Sequence, residues 1–314
     1  MVKVLQKIMN DATLITGGSG LLGSNLKGGR KPIRSELDIL DYQSLREYIN
    51  RYGIRKIVHA AAMVGGVQGN TDRVCDFFLD NLTMNNNILR ACREFKLTDS
   101  IFISSTCVFP SNAPLPLQEE YIHLGEPHFT NYGYAYAKRM LEVGSRVLKQ
   151  QYDIKTLSLI TTNFYGENDN HHLEHGHIIP SLIHKCHLAK HGKTDFVIWG
   201  TGTPKREFNY VGDLARIVDM IYEGHEIGIE YPPAMIVSSG YEYSVHDVVD
   251  MIVKKMGFEG NVVFDNTKPN GIERKNSSNA LFSEYFPDFS WTRLEDGIDV
   301  SIDYFENNYP KVRK

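Results

Sequence analysis

An α/β fold built on a doubly wound parallel sheet, with a smaller and discontinuous second lobe, is predicted by three features of this 314-residue chain. Short apolar runs alternate with amphipathic stretches through the first half, and a glycine-rich turn directly follows the first run. After residue 166 the alternation breaks down, and His, Asn and Gly become frequent. Strand alternating with helix implies parallel strands, because each crossover returns the chain to the same end of the sheet.

The first strand is read at Ala12 to Thr16, and Gly17-Gly18-Ser19-Gly20-Leu21-Leu22-Gly23 leads from it into a helical Ser24-Asn25-Leu26. Glycines let backbone approach a pyrophosphate, and a helix N-terminus offers it free N–H groups and partial positive charge. A bare glycine pattern fits an ordinary turn equally well; its place between strand and helix favours a dinucleotide. Gly17, Gly20, Leu21, Leu22 and Gly23 are therefore candidate cofactor contacts. Further strands are read at Lys56 to Ala60 and Ser100 to Ser104, with an amphipathic stretch around Asp76 to Phe95 between them. Ligands of such sheets lie at the C-terminal strand ends, where Gly17, Ala61 and Ser105 converge, so Ala61 joins the cofactor candidates.

A site for NAD places an acidic residue about 20 positions beyond the glycines, whereas a 2′-phosphate at that place wants a cation. Here the segment reads Gly28-Gly29-Arg30-Lys31-Pro32-Ile33-Arg34. Arg34, with Arg30 or Lys31 nearby, suits the 2′-phosphate of NADPH, although any one of them also fits a solvated basic loop. Asp41, like Asp38, is expected on the adenine side.

Tyr134 and Lys138 lie four residues apart, hence on one helix face, downstream of Ser105-Thr106-Cys107. Tyrosine, with a pKa of about 10, is a slow proton donor at neutral pH, and a neighbouring ammonium is expected to lower that value. Ser105 at its strand end would polarise a carbonyl and stabilise the oxyanion formed as hydride arrives. An amphipathic helix surface gives the same Tyr–Lys spacing. The order of glycine turn, Ser and Tyr–Lys favours ketone reduction. Cys107 is surplus to that chemistry and points to a second reaction.

Composition excludes several classes. A net charge of −4 gives no reason to expect nucleic acid or an anionic membrane as partner. No apolar run approaches the roughly 20 residues of a membrane span, and the first residues lack signal-peptide features, so a cytoplasmic protein is expected. The four cysteines are scattered without paired spacing, which suggests neither a disulfide framework nor a zinc site.

Across essentially the whole chain, the segments ITGGSGLLGS, HAAAMVGGVQGN, SSTCVFP, NYGYAYAKRM, TTNFYGENDN, GHIIPSLIHKCHLAK, VIWGTGTPKREF and VVFDNTKPNG carry a family likeness. In them the chain resembles the GDP-L-fucose synthase family of extended short-chain dehydrogenases/reductases. The resemblance implies a Rossmann-type NADP-binding domain over residues 1–165 and about 205–240, and a nucleotide-sugar-binding lobe over about 166–204 and 241–314. It implies NADPH-dependent 3,5-epimerisation and 4-reduction of GDP-4-keto-6-deoxymannose to GDP-L-fucose. Carried over by motif, Cys107 and His177 are the epimerisation residues, while Ser105, Tyr134 and Lys138 serve reduction. Arg206 falls to the nucleotide diphosphate, where a planar guanidinium can grip phosphate oxygens in pairs.

Asn163, Lys185, Trp199 and Lys268 are further substrate candidates, with Asn163 near the sugar. Trp199 packs on the nucleotide or is simply a partly buried aromatic at a strand end. The choice of guanine over uracil or thymine comes from the resemblance alone, and a UDP- or dTDP-linked ketosugar stays an alternative. A non-catalytic dinucleotide sensor is a further alternative. The histidines His171, His172, His175 and His177 superficially suggest metal ligation, but no metal is expected, since the sugar chemistry needs none and carboxylate support is limited to Glu174. The family implies a homodimer, through helices containing Asn81 to Phe95 and Tyr134 to Leu148.

Overall fold

The computed structural model of the protein describes residues 9–65, 67–268 and 270–314. The first half runs β1 (Thr13–Thr16), α1 (Leu21–Asn25), α2 (Tyr42–Tyr52), β2 (Lys56–His59), α3 (Val67–Asp72), α4 (Val74–Phe95), β3 (Ser100–Ser105), α5 (Tyr132–Tyr152) and β4 (Thr156–Thr161). The chain continues through β5 (Asn163–Tyr165), α6 (Ile178–Gly192), β6 (Phe196–Trp199), β7 (Lys205–Tyr210), α7 (Val211–Glu226) and β8 (Ala234–Val237). It finishes with β9 (Glu242–Ser244), α8 (Val245–Met256), β10 (Val262–Asp265), β11 (Arg274–Lys275), α9 (Ala280–Tyr285) and α10 (Leu294–Asn308).

The larger sheet is parallel, in the order β1-β2-β3-β4-β8, and Arg30 bridges Leu14 along its outer edge. Every residue of β1, β4 and β8 is buried, as expected where helices cover both faces of a parallel sheet. The register pairs Thr16 with His59 and Ser105 with Thr161, so the strands finish along a common edge. The smaller sheet sets β7 between β5 and β11 in parallel, with β9 antiparallel to β7, while β6 pairs with β10. The chain thus leaves the large sheet at β5, rejoins it through α7 and β8, and leaves again. Separate apolar cores reflect this division: Leu22, Val58, Leu159, Val218 and Val237 share one. Ile183, Phe196, Ile252, Ile298 and Phe305 share another.

The three strands read from the sequence, β1, β2 and β3, begin and end within a residue of the expected places, but the first helix does not. It starts at once after Gly20 and stops at Asn25, because Leu26 is extended and Gly28 and Gly29 take positive φ. Asp41 proves to be the N-cap of α2, its carboxylate accepting from Gln43 N at 3.0 Å.

A buried polar chain ties the layers beneath the strand ends. His59, fully buried, pairs its Nδ1 with Thr16 Oγ1 at 2.8 Å and its Nε2 with Asn85 Oδ1 at 3.0 Å. Asn85 Nδ2 donates to Ala137 O at 2.7 Å, so its Oδ1 must accept, which fixes the proton on His59 Nε2. Burial and the nearby Lys138 charge push the imidazole down to about 3, so it stays neutral. β1, β2, α4 and α5 are thereby locked in register. Asn85→Ala would strip partners from His59 and the Ala137 carbonyl together. It is expected to lower the unfolding free energy by about 1–3 kcal/mol, read from urea denaturation midpoints.

Candidate active site

Tyr134 and Lys138 face the end of β3 from α5. Lys138 is 2% exposed, and its Nζ donates to Ile103 O at 2.8 Å while standing 6.0 Å from the centre of the Tyr134 ring. Burial lowers the ammonium to about 8. The anticipated lowering of Tyr134 is not found. Its hydroxyl is pushed well above the ordinary value of 10.0, first by burial and then by the neighbouring Cys107. Removing a phenolate from water outweighs the attraction of an ammonium that is turned toward a backbone carbonyl. Tyr134 is therefore firmly protonated, the state a proton donor requires.

Ser105 closes β3 and caps a single 3₁₀ turn, Thr106–Val108, its Oγ accepting from Cys107 N at 3.3 Å. That turn holds Cys107 half-buried beside Ser105, and near enough to Tyr134 to act on its titration. Ser105, Cys107, Tyr134 and Lys138 are thus gathered at one strand end.

His177 is the N-cap residue of α6. Its Nδ1 stands 2.8 Å from Asp169 Oδ1, and Asp169 is 1% exposed whereas the His177 side chain is 44% exposed. The carboxylate raises the imidazole above its ordinary 6.5, against the opposing influence of surrounding protein that desolvates it. Asp169 escaped notice in the sequence although it lies in the TTNFYGENDN segment; only the fold sets it against the ring. The neighbouring histidines serve local structure: His172 Nδ1 accepts from Glu174 N and His175 N, and His171 Nδ1 pairs with Pro180 O. Among the described residues no three His, Cys, Asp or Glu side chains are grouped to hold a metal ion.

The glycine turn fits a dinucleotide phosphate. Gly17 has φ +69°, and a Cβ there would stand 2.8 Å from Ala61 N, so the turn and the end of β2 are in direct contact. At Gly23 a Cβ would strike Gly17 O, closing the start of α1 against the turn. Leu22 is buried in the core and offers only backbone, whereas Leu21 is half-exposed. Of the basic segment, Arg30 bonds Asp11 O and covers the Tyr52 ring, and Lys31 donates to Leu26 O. Arg34 is 74% exposed with only a 3.8 Å ion pair to Asp38, which leaves its guanidinium available to an anion. The Asp41 carboxylate is committed to capping α2.

The substrate candidates divide into two places. Trp199 is half-exposed, with Lys185 Nζ 4.9 Å and Lys268 Nζ 5.5 Å from its ring centre, beside a cleft of about 320 Å³ that Lys185, Leu188, Val197 and Trp199 help to line. Arg206 on β7 donates to Lys205 O at 2.7 Å and to Ile272 O, and Asn163 Nδ2 donates to Glu207 O at 3.0 Å. A larger cavity of about 450 Å³, lined in part by Lys96, Asp99, Lys155, His225 and Glu230, lies at the opposite strand ends and contains none of these residues.

Residues 27–231 match the model of the NAD dependent epimerase/dehydratase family. The chain is 37% identical to GDP-L-fucose synthase of Dictyostelium discoideum, covering 96% of this chain and 97% of the relative. It is 31% identical to GDP-L-colitose synthase of Yersinia pseudotuberculosis, over 94% and 97% respectively. Among solved structures it is similar to a GDP-L-fucose synthetase from Naegleria fowleri bound to NADP, with TM-score 0.90, 34% identity and coverage of 99% and 97%.

Replacing Asp169 by Asn removes the charge that holds the His177 proton. The His177 titration, followed by its ring C–H signals in NMR, is expected to move down from its raised position toward or below 6.5. Because the folded-state value is raised, His177 stabilises the native state fully below its unfolded value, and this contribution is lost as pH rises through the folded value. The variant is expected to lose that pH-dependence of stability.

Proposed function

Because the chain belongs to the NAD dependent epimerase/dehydratase family, we propose that it converts GDP-4-keto-6-deoxymannose to GDP-L-fucose by 3,5-epimerisation and NADPH-dependent 4-reduction. The observation that carries this reading is Cys107 beside Ser105 and within electrostatic reach of Tyr134. A reductase alone needs no thiol there. NADPH, when bound, supplies the hydride for C4. The turn Gly17, Gly20, Leu21, Leu22 and Gly23, with Ala61 and Lys138, would hold it, and Arg34 would meet its 2′-phosphate. Asp41 is left with a capping role.

The C4 ketone acidifies the hydrogens at C3 and C5. Cys107 as thiolate takes a proton from one face, and His177 as imidazolium returns one to the other. Asp169 favours the charged His177, and the exposed ring lets it recover its proton from solvent. Cys107 gives up its proton in turn, so both residues are reset for the second centre. In the reductive step Tyr134 delivers its proton to the C4 oxygen, which Ser105 holds by a hydrogen bond. Lys138 keeps a positive charge beside Tyr134, favouring the phenolate left behind. Reduction must follow epimerisation, since it destroys the acidity of both carbons.

We assign the nucleotide diphosphate to the lobe bearing Trp199, Lys185, Lys268, Arg206 and Asn163. Two ammoniums at one half-exposed indole suit a stacked base with adjoining phosphates. We also infer a homodimer through α4 and α5, which pack on each other yet leave Leu79, Met140 and Val147 at least 41% exposed. No helix among the described residues is long and apolar enough to cross a membrane. The net charge of −4 supports a reading without nucleic acid, and we place the reaction in the cytoplasm.

Turnover of GDP-4-keto-6-deoxymannose in deuterated water is expected to give GDP-fucose labelled at C3 and C5. Cys107→Ser should slow solvent exchange by about 10²-fold or more while sparing hydride transfer to an already epimerised ketosugar. Tyr134→Phe should depress NADPH oxidation by a similar factor and leave exchange measurable. Equal loss of both activities in both variants would remove the division of labour. A UDP- or dTDP-linked ketosugar turned over faster would overturn the substrate. For the dimer, Leu79→Asp combined with Val147→Asp is expected to halve the mass measured by light scattering.

A further inference from the structure

The segment after α10 crosses from the second lobe to the first. Val312 is buried in the second-lobe core, and the carbonyl of Arg313 accepts from His171 N at 2.8 Å, which fixes the backbone beside the His171 to His177 segment. The Arg313 side chain then reaches out over the glycine turn. Its Nη1 lies 3.8 Å from the place a Cβ on Gly20 would occupy, and Gly17 O is the other atom near that place. The guanidinium makes no hydrogen bond or ion pair with any described residue, so its N–H groups are uncommitted beside the one turn that fits a dinucleotide phosphate.

We propose that Arg313 is a cofactor-binding residue that donates to the pyrophosphate of NADPH from the second lobe, bridging the two lobes when the dinucleotide is held. This rests on the glycine turn being the pyrophosphate site. A guanidinium pairs with two phosphate oxygens at once, so its contribution is to the diphosphate and not to the distant 2′-phosphate. Its charge also reaches His177, whose proton it disfavours while Asp169 favours it. Arg313 and Asp169 are the charged groups that act on that ring.

The test measures binding, not turnover. Calorimetric titration of the full-length chain with NADPH and with 2′-AMP, which lacks the pyrophosphate, is compared for the wild type, Arg313→Ala and Arg313→Lys. Arg313→Ala is expected to bind NADPH about tenfold more weakly, the scale of a charge-assisted hydrogen bond, with 2′-AMP affinity unchanged and Arg313→Lys in between. In the free protein, Arg313→Ala should also move the NMR titration of His177 upward. Unchanged NADPH affinity in Arg313→Ala would overturn the proposal, and so would equal weakening of both ligands, which marks a diffuse charge effect. A His177 titration unmoved by the variant would overturn the placement of the guanidinium. Failure of the wild type to bind NADPH at all would overturn the glycine-turn reading together with this one.

Discussion

Lys138, buried and donating to the Ile103 carbonyl, is the interaction on which the rest of the site depends. A cation taken out of water is tolerated only if it is hydrogen-bonded, and this one is bonded to the strand that ends in Ser105. α5 is thereby fixed against β3, and Tyr134 is brought to the same strand end as Ser105 and Cys107. The chain Thr16–His59–Asn85–Ala137 works below it on the same helix, from the side of β1 and β2. A neutral His59 is essential there, since a second buried cation beside Lys138 would strain both.

Desolvation sets the proton positions of this site more than pairwise attraction does. It drives Tyr134 up, Lys138 down and His59 down, each toward its neutral form. His177 is the exception, because Asp169 meets it directly and outweighs the burial. The proposed mechanism accordingly gives its two steps different kinds of acid. In that mechanism Tyr134 would hold its proton until charge develops on a substrate oxygen, whereas His177, its pKa raised by Asp169 and its side chain partly exposed, would exchange its proton with solvent.

The lobes are joined by polar contacts as well as by the chain crossing between them. Asn25 of α1 donates to Glu167 O at 3.1 Å, and Tyr210 bonds the Glu167 carboxylate. The same loop supplies Asp169 to His177, so the residues that join the lobes are neighbours of the acid proposed for epimerisation. The Asp169–His177 pair and the contacts that join the lobes thus share one short stretch of chain.

The sequence by itself determined the first three strands, β1 to β3, because these are apolar runs bounded by turn residues, and it determined the glycine turn and the helical spacing of Tyr134 and Lys138. These are local patterns, complete within a few residues. It could not place Asp169 against His177, bring Lys185 and Lys268 to the Trp199 ring, or carry Arg313 to Gly20, since each pairing joins residues that only the fold brings together. Nor could it give the direction of the Tyr134 shift: a four-residue spacing promises proximity to Lys138, but burial is a property of the whole packed chain. The tertiary structure decided these matters because desolvation and long-range contact exist only once the two lobes have closed around the strand ends.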